Sequence, residues 1–310
     1  MPPVIAIAVV LALALELTLR EPPARFHPVA LFGRVVESVS GAGYGGPAPK
    51  LAGVVVAVGL SLGLALAVYA AVWLAAGIHW AAAVVLAGLA LWSVTSLQML
   101  LDVAAEVIEA SDGGRDDLAT AREALPALVG RPPGDLSPEL LRSAAVESLG
   151  ENLSDGLVGP LLAFAVGAVV SLPAAAAAAA FVKAVNTMDS MLGYHDVCDF
   201  GWASARLDDL VRWLPARVTA ALLGLAAGDP DAPMRARRYA HTPPSPNAGW
   251  PMGALAAALN VRLEKPGVYV LNEIAEYPTV TDGREAVAAV RRAGLAAYGG
   301  VAGVGVVLWL

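Results

Sequence analysis

Long apolar runs separated by short polar stretches dominate the hydrophobic pattern of this 310-residue chain. Residues 51–76 and 80–101 carry no charged side chain, and each run exceeds the roughly 20 residues that a membrane-spanning helix needs. The first run, residues 4–19, contains one charge, Glu16. We expect this carboxylate to reach the membrane interface because it lies one turn from the end of the run. The pattern predicts a membrane protein built from α-helices.

Three later apolar segments are shorter or interrupted. Residues 157–185 contain Pro160 and Pro173, so they form either one kinked helix or two helices in a hairpin that turns near Pro173. We favour the hairpin, because it returns the polar residues that follow it to the side on which the segment begins. Residues 211–227 either dip into the membrane or span it, and residues 295–310 are just long enough for a last span.

The polar segments between these runs are predicted to face the cytoplasm. They comprise approximately residues 20–50, 102–156, 186–212 and 229–294. Arginine is frequent in the first two, and the positive-inside rule places such segments on the cytoplasmic side. The chain is therefore predicted to be one all-α, polytopic membrane domain over residues 1–310, with about five to seven membrane-embedded helices.

Local signals place some boundaries within the polar segments. Within residues 20–50 we expect a short helix near residues 28–34 and a flexible connector over residues 41–47. Ser137 followed by Pro138 predicts the start of a helix, with serine as the N-cap and proline at the first helical position.

Composition supports the membrane assignment and argues against two other classes. Hydrophobic residues make up 57% of the chain and charged residues 15%, whereas soluble domains carry about 25% charged residues. The net charge of −7 argues against a nucleic-acid-binding protein, which needs a basic surface. The single cysteine, Cys198, excludes an intramolecular disulfide and fits a reducing cytosolic face.

Carboxylates gather where an apolar segment begins. Glu147 and Glu151 are four residues apart, so a helix places both on one face, and Asn152 and Asp155 follow closely. Carboxylates this close repel each other unless a cation or a substrate amine neutralises them, and Mg²⁺ bridging phosphate oxygens is the usual partner. The alternative interpretation is a solvated helix end.

A second polar stripe follows the apolar hairpin. Lys183, Asn186, Asp189 and Ser190 recur every three or four residues, which places them on one helix face. A lysine at this position suits a phosphate. Snorkelling to the membrane interface explains Lys183 alone, but it does not explain the short side chains of Asn186 and Asp189.

Charges alternate in sign at helical spacing over residues 206–212. Arg206, Asp208, Asp209 and Arg212 have partners three or four residues away. The stretch is therefore either a self-satisfied ion-pair face or part of a binding site.

A proline-rich stretch, residues 241–251, follows a group of arginines at residues 235–238. The prolines prevent helix formation and predict a rigid extended loop that carries His241, Ser245 and Asn247. Such a loop suits substrate positioning, and the arginines suit a phosphate or a carboxylate. The alternative is a proline-rich turn beside a basic membrane-surface patch.

Several stretches together resemble the adenosylcobinamide-phosphate synthases of cobalamin biosynthesis, the CobD/CbiB family. They are His27-Pro28-Val29 with Gly33, ESLGENLSDG at 147–156, NTMDSMLGY at 186–194, FGWASARLDD at 200–209 and SPNAGWP at 245–251. The stretch VRLEKPGVY at 261–269 resembles archaeal members. The chain departs from the family pattern where REP at 20–22 replaces Gly-Asp-Pro and where GRP at 130–132 replaces Gly-Arg-Asp.

The resemblance implies an ATP-dependent amide ligase. It would join adenosylcobyric acid to (R)-1-aminopropan-2-ol O-phosphate, or a related amino-alcohol phosphate, to give adenosylcobinamide phosphate. The implied ligands of Mg²⁺ are Glu147, Glu151, Asp155 and Asp189. The implied catalytic residues are Glu147, Glu151, Asp189 and His241. The implied substrate- or phosphate-binding residues are Asn152, Lys183, Asn186, Ser190, Arg206, Asp208, Asp209, Ser245 and Asn247.

A membrane transporter, or a corrinoid-binding membrane protein without ligase activity, is the competing interpretation. In either, the same polar clusters would line a substrate path. Transport paths place charges in the middle of a span, whereas here the charges gather at the ends of apolar segments, which favours the ligase. The expected partners are the corrinoid, the amino-alcohol phosphate, the lipid bilayer and other enzymes that act on corrinoids, but no nucleic acid.

Overall fold

A computed structural model describes residues 3–22, 25, 27–43, 48–129, 134–192 and 199–310. The chain forms two compact units. Unit 1 comprises Met1–Ser96, Asp155–Arg212 and Tyr298–Leu310, and unit 2 comprises Leu97–Ser154 and Trp213–Ala297.

Helices make up nearly all of the regular structure in the described residues. In chain order they are α1 (Val4–Leu19), α2 (Pro28–Gly43), α3 (Pro49–Ile78), α4 (Trp80–Val94), α5 (Gln98–Ala110), α6 (Arg115–Ala124), α7 (Pro126–Val129), α8 (Pro138–Leu153), a π-helical turn (Ser154–Val158), α9 (Gly159–Ala168), α10 (Leu172–Leu192), α11 (Trp202–Val211), α12 (Trp213–Ala226), α13 (Ala232–Ala236), α14 (Gly249–Leu259) and α15 (Val280–Val307). Two short strands, β1 (Leu263–Lys265) and β2 (Tyr269–Leu271), form an antiparallel hairpin with Leu263 opposite Leu271. The all-α prediction is confirmed apart from this hairpin.

In unit 1, α10 packs against α3, α4 and α9, and α1 packs against α4. Glycine allows the close approach of α1 and α4, because a Cβ atom at Gly88 would lie 2.8 Å from the Leu11 side chain. The α9–α10 pair is the predicted hairpin, and Pro173 lies in the first turn of its second helix. A Cβ atom at Gly167 would lie 2.4 Å from the carbonyl oxygen of Ala174, so the two helices meet backbone to backbone.

In unit 2, α8 packs against α5, α14 and β1. It begins as predicted, because the Ser137 side chain accepts a hydrogen bond from the backbone N–H of Leu140 and Pro138 occupies the first turn. The buried Arg142 donates to the Pro278 carbonyl (2.6 Å) and to the Ser111 hydroxyl (3.1 Å). These bonds join three segments that are far apart in sequence.

The burial of Glu16 contradicts the expectation that its carboxylate reaches the membrane interface. The side chain is fully buried, as are Ala8 and Ala12, which precede it at intervals of four residues. These three positions form the stripe of α1 that packs in unit 1. Glu16 therefore belongs to the packed face of the helix.

Two other predicted elements are wrong in extent. The helix after His27 runs through Gly43, because Phe32 and Val36 are buried in a core with Met188 that stabilises the longer helix. Residues 44–47 of the predicted connector lie outside the described residues. The last helix begins at Val280, before the predicted start at residue 295. A buried stripe of Ala286, Ala289, Val290 and Ala293 makes the polar residues before 295 the outer face of the same helix.

Among the described residues, two stretches are long and apolar enough to cross a membrane by length and composition. They are Pro49–Ile78 and Trp80–Ala110, the latter made of α4 and α5. A short break at residues 95–97 divides this second stretch.

Candidate functional site

Glu147 is a buried carboxyl group held by hydrogen bonds in unit 2. It lies on α8 with its side chain 6% exposed. The Tyr269 hydroxyl on β2 donates to Oε2 at 2.5 Å, and the Ser143 hydroxyl, one turn earlier on α8, donates to Oε1 at 2.9 Å. Ser143 also accepts from the backbone N–H of Glu264 on β1 at 2.7 Å. The β-hairpin therefore fixes the position of the carboxyl group.

The surroundings of Glu147 favour proton exchange near neutral pH. Burial raises the pKa of Glu147 from 4.5 to about 7. The hydrogen bonds from Tyr269 and Ser143 act in the opposite direction, the negative charge of Glu151 adds to the increase, and Lys265 lowers the pKa. A carboxyl group with such a pKa can accept a proton from a substrate and release it again.

Two of the motifs that resemble the family, ESLGENLSDG and SPNAGWP, meet where α8 packs against α14. A Cβ atom at Gly150 would lie 3.1 Å from the backbone of Pro251 and Met252, so this glycine lets the two helices approach closely. The Met252 sulfur is 3.7 Å from the Tyr269 hydroxyl that binds Glu147. The structure therefore brings residues 147–154 of the first motif and residues 245–251 together beside the buried acid, within unit 2.

The proline-rich loop ends earlier than predicted. Residues 249–251 belong to α14, because a proline in the first turn of a helix needs no N–H partner. A Cβ atom at Gly249 would lie 2.1 Å from the carbonyl oxygen of Ala240. The start of α14 thus lies directly on the backbone of the preceding loop.

Replacement of Gly249 by alanine is expected to destabilise unit 2. The added methyl group must displace the backbone of Ala240, and overpacking of this kind costs about 1–3 kcal/mol. Thermal unfolding of the detergent-solubilised variant measures the effect. The control is Gly299→Ala, where a Cβ atom meets nothing within 4 Å. Equal stability of the two variants would contradict the close contact.

The predicted polar residues of the loop differ in burial. Asn247 is buried and accepts a hydrogen bond from Arg217 at 2.8 Å. The Ser245 hydroxyl accepts from the backbone N–H groups of Asn247 and Ala248, at 3.3 and 3.4 Å. His241 is exposed and meets the Trp250 ring edge to face, with 6.1 Å between the ring centroids. In the same unit, the half-buried Asn152 donates to the Leu128 carbonyl.

In unit 1, Asp155, Asp208 and Arg212 form a buried ion-pair group. The guanidinium of Arg212 pairs with Asp155 and donates to Asp208 at 2.8 Å. Asp155 lies in the π-helical turn, and turns of this kind are frequent at functional sites. Both carboxylates thus have a cation as a partner.

The predicted stripe on α10 is present. Lys183 lies within electrostatic range of Glu21 and Asp155. The exposed Ser190 hydroxyl donates to the Asn186 carbonyl at 2.9 Å. Asp189 is half-buried. Residues 193 and 194 of this motif lie outside the described residues.

Glu21 belongs to the stretch REP at 20–22 and lies beside the motif His27-Pro28-Val29. Its carboxylate is 3.8 Å from Nε2 of His27, whose Nδ1 accepts from the backbone N–H of Val29. Burial lowers the pKa of His27, and the charge of Glu21 opposes this change. The histidine therefore caps α2 and lies next to the acid.

The ion-pair face on α11 is confirmed. Arg206 and Asp209 pair at 3.4 Å on the surface, and Asp208 and Arg212 pair at the spacing the sequence predicts. Burial raises the pKa of Asp209, and the neighbouring charge of Asp208 adds to the increase.

The predicted Mg²⁺ site remains a prediction. Among the described residues there is no group of three or more His, Cys, Asp or Glu side chains placed to hold a metal ion. Mg²⁺ commonly takes only one or two protein carboxylates when substrate phosphates supply further oxygens. Glu151, which is half-buried and close enough to raise the pKa of Glu147, fits such a role.

The predicted site residues fall in both units. Unit 2 holds Glu147, Glu151, Asn152, His241, Ser245 and Asn247. Unit 1 holds Asp155, Lys183, Asn186, Asp189, Ser190, Arg206, Asp208 and Asp209.

Three residues that bind predicted site residues were not predicted from the sequence. Ser143 and Tyr269 bind Glu147, and Arg217 binds Asn247. Ser143 is detectable in principle, because it lies one turn before Glu147 on the same helix face. Tyr269 ends the stretch VRLEKPGVY, but it lies 122 residues from the carboxyl group that it binds, so no local signal predicts this contact. Arg217 lies 30 residues from Asn247 and has no local signal either.

Comparisons with known proteins agree on one family. The family model described as "CobD/Cbib protein" matches residues 9–296. Similar curated proteins include "Probable cobalamin biosynthesis protein CobD" of Methanothrix thermoacetophila, 36% identical over 92% of this chain and 92% of the relative. "Cobalamin biosynthesis protein CobD" of Rhodobacter capsulatus is 38% identical over 98% of both chains, and that of Mycobacterium tuberculosis is 39% identical over 93% of this chain and 90% of the relative. No solved structure matches the chain significantly.

Proposed function

Because this chain belongs to the CobD/CbiB family, we propose that it makes adenosylcobinamide phosphate in cobalamin biosynthesis, as an ATP-dependent amide ligase at the cell membrane. Its substrates are adenosylcobyric acid and (R)-1-aminopropan-2-ol O-phosphate or a related amino-alcohol phosphate. The match over residues 9–296 and the cobalamin-biosynthesis names of the relatives support the pathway.

The buried Glu147 is the observation that carries the ligase proposal. Amide formation needs a neutral amine, so the ammonium group of the amino alcohol must first lose a proton. A carboxyl group with a pKa near 7, fixed by Tyr269 and Ser143, matches that task at neutral pH. His241, in contrast, is exposed.

The proposed reaction has two steps. A carboxylate oxygen of the corrinoid attacks the γ-phosphorus of ATP, and ADP leaves to give an acyl phosphate. The ammonium group of the amino alcohol then passes one proton to Glu147, and the neutral amine nitrogen attacks the acyl carbon. Inorganic phosphate leaves as the C–O bond to it breaks, and the second proton of the nitrogen departs with the phosphate. Bound Mg²⁺, with Glu151 as a protein ligand, would neutralise charge on the phosphate oxygens.

Oxygen labelling tests this route. With ¹⁸O in the carboxylate of adenosylcobyric acid, one labelled oxygen should appear in the released inorganic phosphate for each amide formed. Mass spectrometry of the phosphate reads the result. Amide formation with unlabelled phosphate would exclude the acyl phosphate.

Removal of the Tyr269 hydroxyl should move the pH dependence of the reaction. Its hydrogen bond stabilises the ionised carboxylate, so Tyr269→Phe raises the pKa of Glu147 further. The acid limb of the kcat/KM profile, which rises as Glu147 loses its proton, should shift to higher pH by on the order of 1 unit.

Tyr277→Phe is the matched control, since that hydroxyl binds Glu264 rather than Glu147. If the acid limb of the kcat/KM profile of Tyr269→Phe matches that of wild type, Glu147 is not the proton acceptor.

Transport is the second candidate function, and one observation favours it. Glu16 is an ionisable residue fully buried on an apolar helix, and such residues mark transport paths in membrane proteins. Sealed vesicles distinguish the functions. A ligase converts its substrates in the presence of ATP, whereas a transporter accumulates an unmodified corrinoid inside the vesicle.

A further inference from the structure

Arg217 lies in an unusual setting in unit 2. Its guanidinium carbon lies 4.6 Å from the ring centroid of Trp213 and 5.0 Å from that of Trp250, so it contacts two indole rings. Its Nη1 donates to the Trp213 carbonyl at 2.7 Å and to the Asn247 side-chain oxygen at 2.8 Å. Two rings and two hydrogen bonds thus fix one cation.

The other arginines that make side-chain contacts in unit 2 are mostly neutralised by acids. Arg235 pairs with Asp229, Arg262 with Glu264, and Arg284 with Glu109. Arg217 has no carboxylate partner among the residues that the structure describes, although it is only partly exposed. A fixed, partly desolvated cation without an acid favours an anionic ligand.

The unused donors of Arg217 match one ligand geometry. Its hydrogen bonds to described residues come from Nη1, which leaves the edge formed by Nε and Nη2. That edge carries two parallel N–H groups, the arrangement that binds two oxygens of a phosphate. The Trp250 indole N–H, a further donor in this group, is buried and has no acceptor among the described residues. Among the described residues, the group formed by Arg217, Trp250 and Asn247 therefore has more hydrogen-bond donors than acceptors.

The position of this group relates it to the proposed reaction. Asn247 and Trp250 belong to the motif whose last residue, Pro251, packs on α8 at Gly150, one turn from Glu147. Helix α12, which carries Arg217, also packs against both α14 and α8. The arginine and the proposed proton acceptor therefore lie on helices that pack together in one unit.

We propose that Arg217 binds the phosphate group of the amino-alcohol phosphate, while Trp213, Trp250 and Asn247 hold its guanidinium in place. The identity of this phosphate rests on the proposed function. A phospholipid headgroup offers the same chemistry, and it is distinguished in the test below. The sequence indicates Lys183, Arg206 and residues 235–238 as other candidates for this role.

The test compares Arg217→Met with wild type in lipid nanodiscs. Isothermal titration with aminopropanol phosphate should give a Kd about 10–100-fold higher for the variant, because a charge-assisted bidentate contact is lost. In the ligase assay, KM for aminopropanol phosphate should rise by a similar factor while KM for the corrinoid stays unchanged. Unphosphorylated aminopropanol should bind both proteins equally weakly. The control Arg291→Met removes an exposed arginine from the same unit and should match wild type.

Two further variants keep the test valid if Arg217→Met does not fold. Arg217→Lys retains the charge without the paired donors, and Asn247→Ala releases the guanidinium. Both should weaken binding of the phosphate compound by a smaller factor. An unchanged Kd for aminopropanol phosphate in the folded Arg217 variants overturns the proposal. It is also overturned if those variants lose only the binding of vesicles containing phosphatidylglycerol, which would assign the arginine to a lipid headgroup.

The binding experiment separates this proposal from the ligase function. If wild type makes the amide and the variants keep a normal KM, the assignment of Arg217 fails and the ligase stands. If wild type makes no amide but the binding of aminopropanol phosphate depends on Arg217, the ligase fails and the phosphate site stands.

Discussion

Glu147→Gln should reduce amide formation by a factor of about 10²–10⁴, the usual contribution of a positioned general acid or base. The amide side chain has nearly the same shape and keeps an oxygen for Tyr269, so the protein should fold normally. It cannot take up the ammonium proton at neutral pH. Steady-state rates with saturating substrates, together with unfolding curves for both proteins, measure the effect.

Glu139→Gln is the matched control for this prediction. Glu139 lies on the same helix, but its side chain is 48% exposed. Its replacement should leave the rate near that of wild type. A Glu147→Gln enzyme that works within about threefold of wild type would exclude Glu147 as the proton acceptor, since that effect is far below a general-base contribution.

Arg212→Met should destabilise unit 1 by about 3–5 kcal/mol, because it leaves two buried carboxylates without their cation. Asp155 and Asp208 are 10% and 3% exposed, so water cannot replace the arginine. Thermal or denaturant unfolding in detergent measures the loss.

Two comparisons isolate the buried charges as the cause. Arg206→Met breaks a surface pair whose arginine is 66% exposed and should change stability by less than about 1 kcal/mol. Addition of Asp155→Asn and Asp208→Asn to Arg212→Met should restore part of the stability, because the two buried negative charges are then removed as well. Equal losses for Arg206→Met and Arg212→Met would contradict the account.

Local signals in the sequence predict much of the helical framework. The first helix has the predicted limits because prolines precede it and Arg20 with Pro22 follows it. Ser137 and Pro138 locate the start of α8, and Pro173 locates the turn of the α9–α10 hairpin. These features depend only on neighbouring residues.

Long-range pairing limits what the sequence predicts of the site. Glu147 appears as one of a row of similar acids, and its burial by a β-hairpin more than a hundred residues later makes it different. Asp155 and Asp208 read as substrate or metal ligands, yet Arg212 binds both. In the sequence, Arg217 does not differ from other arginines on short helices. Only the fold places two tryptophans and an asparagine against its guanidinium.

Direct detection of the product is the most direct test of the ligase account. Purified protein in nanodiscs would receive adenosylcobyric acid, (R)-1-aminopropan-2-ol O-phosphate and ATP with Mg²⁺, and mass spectrometry would follow the corrinoid. The account predicts adenosylcobinamide phosphate, with one ATP cleaved for each amide and no product when ATP is omitted. Folded protein that binds the corrinoid but leaves it unmodified with all three substrates present would contradict it.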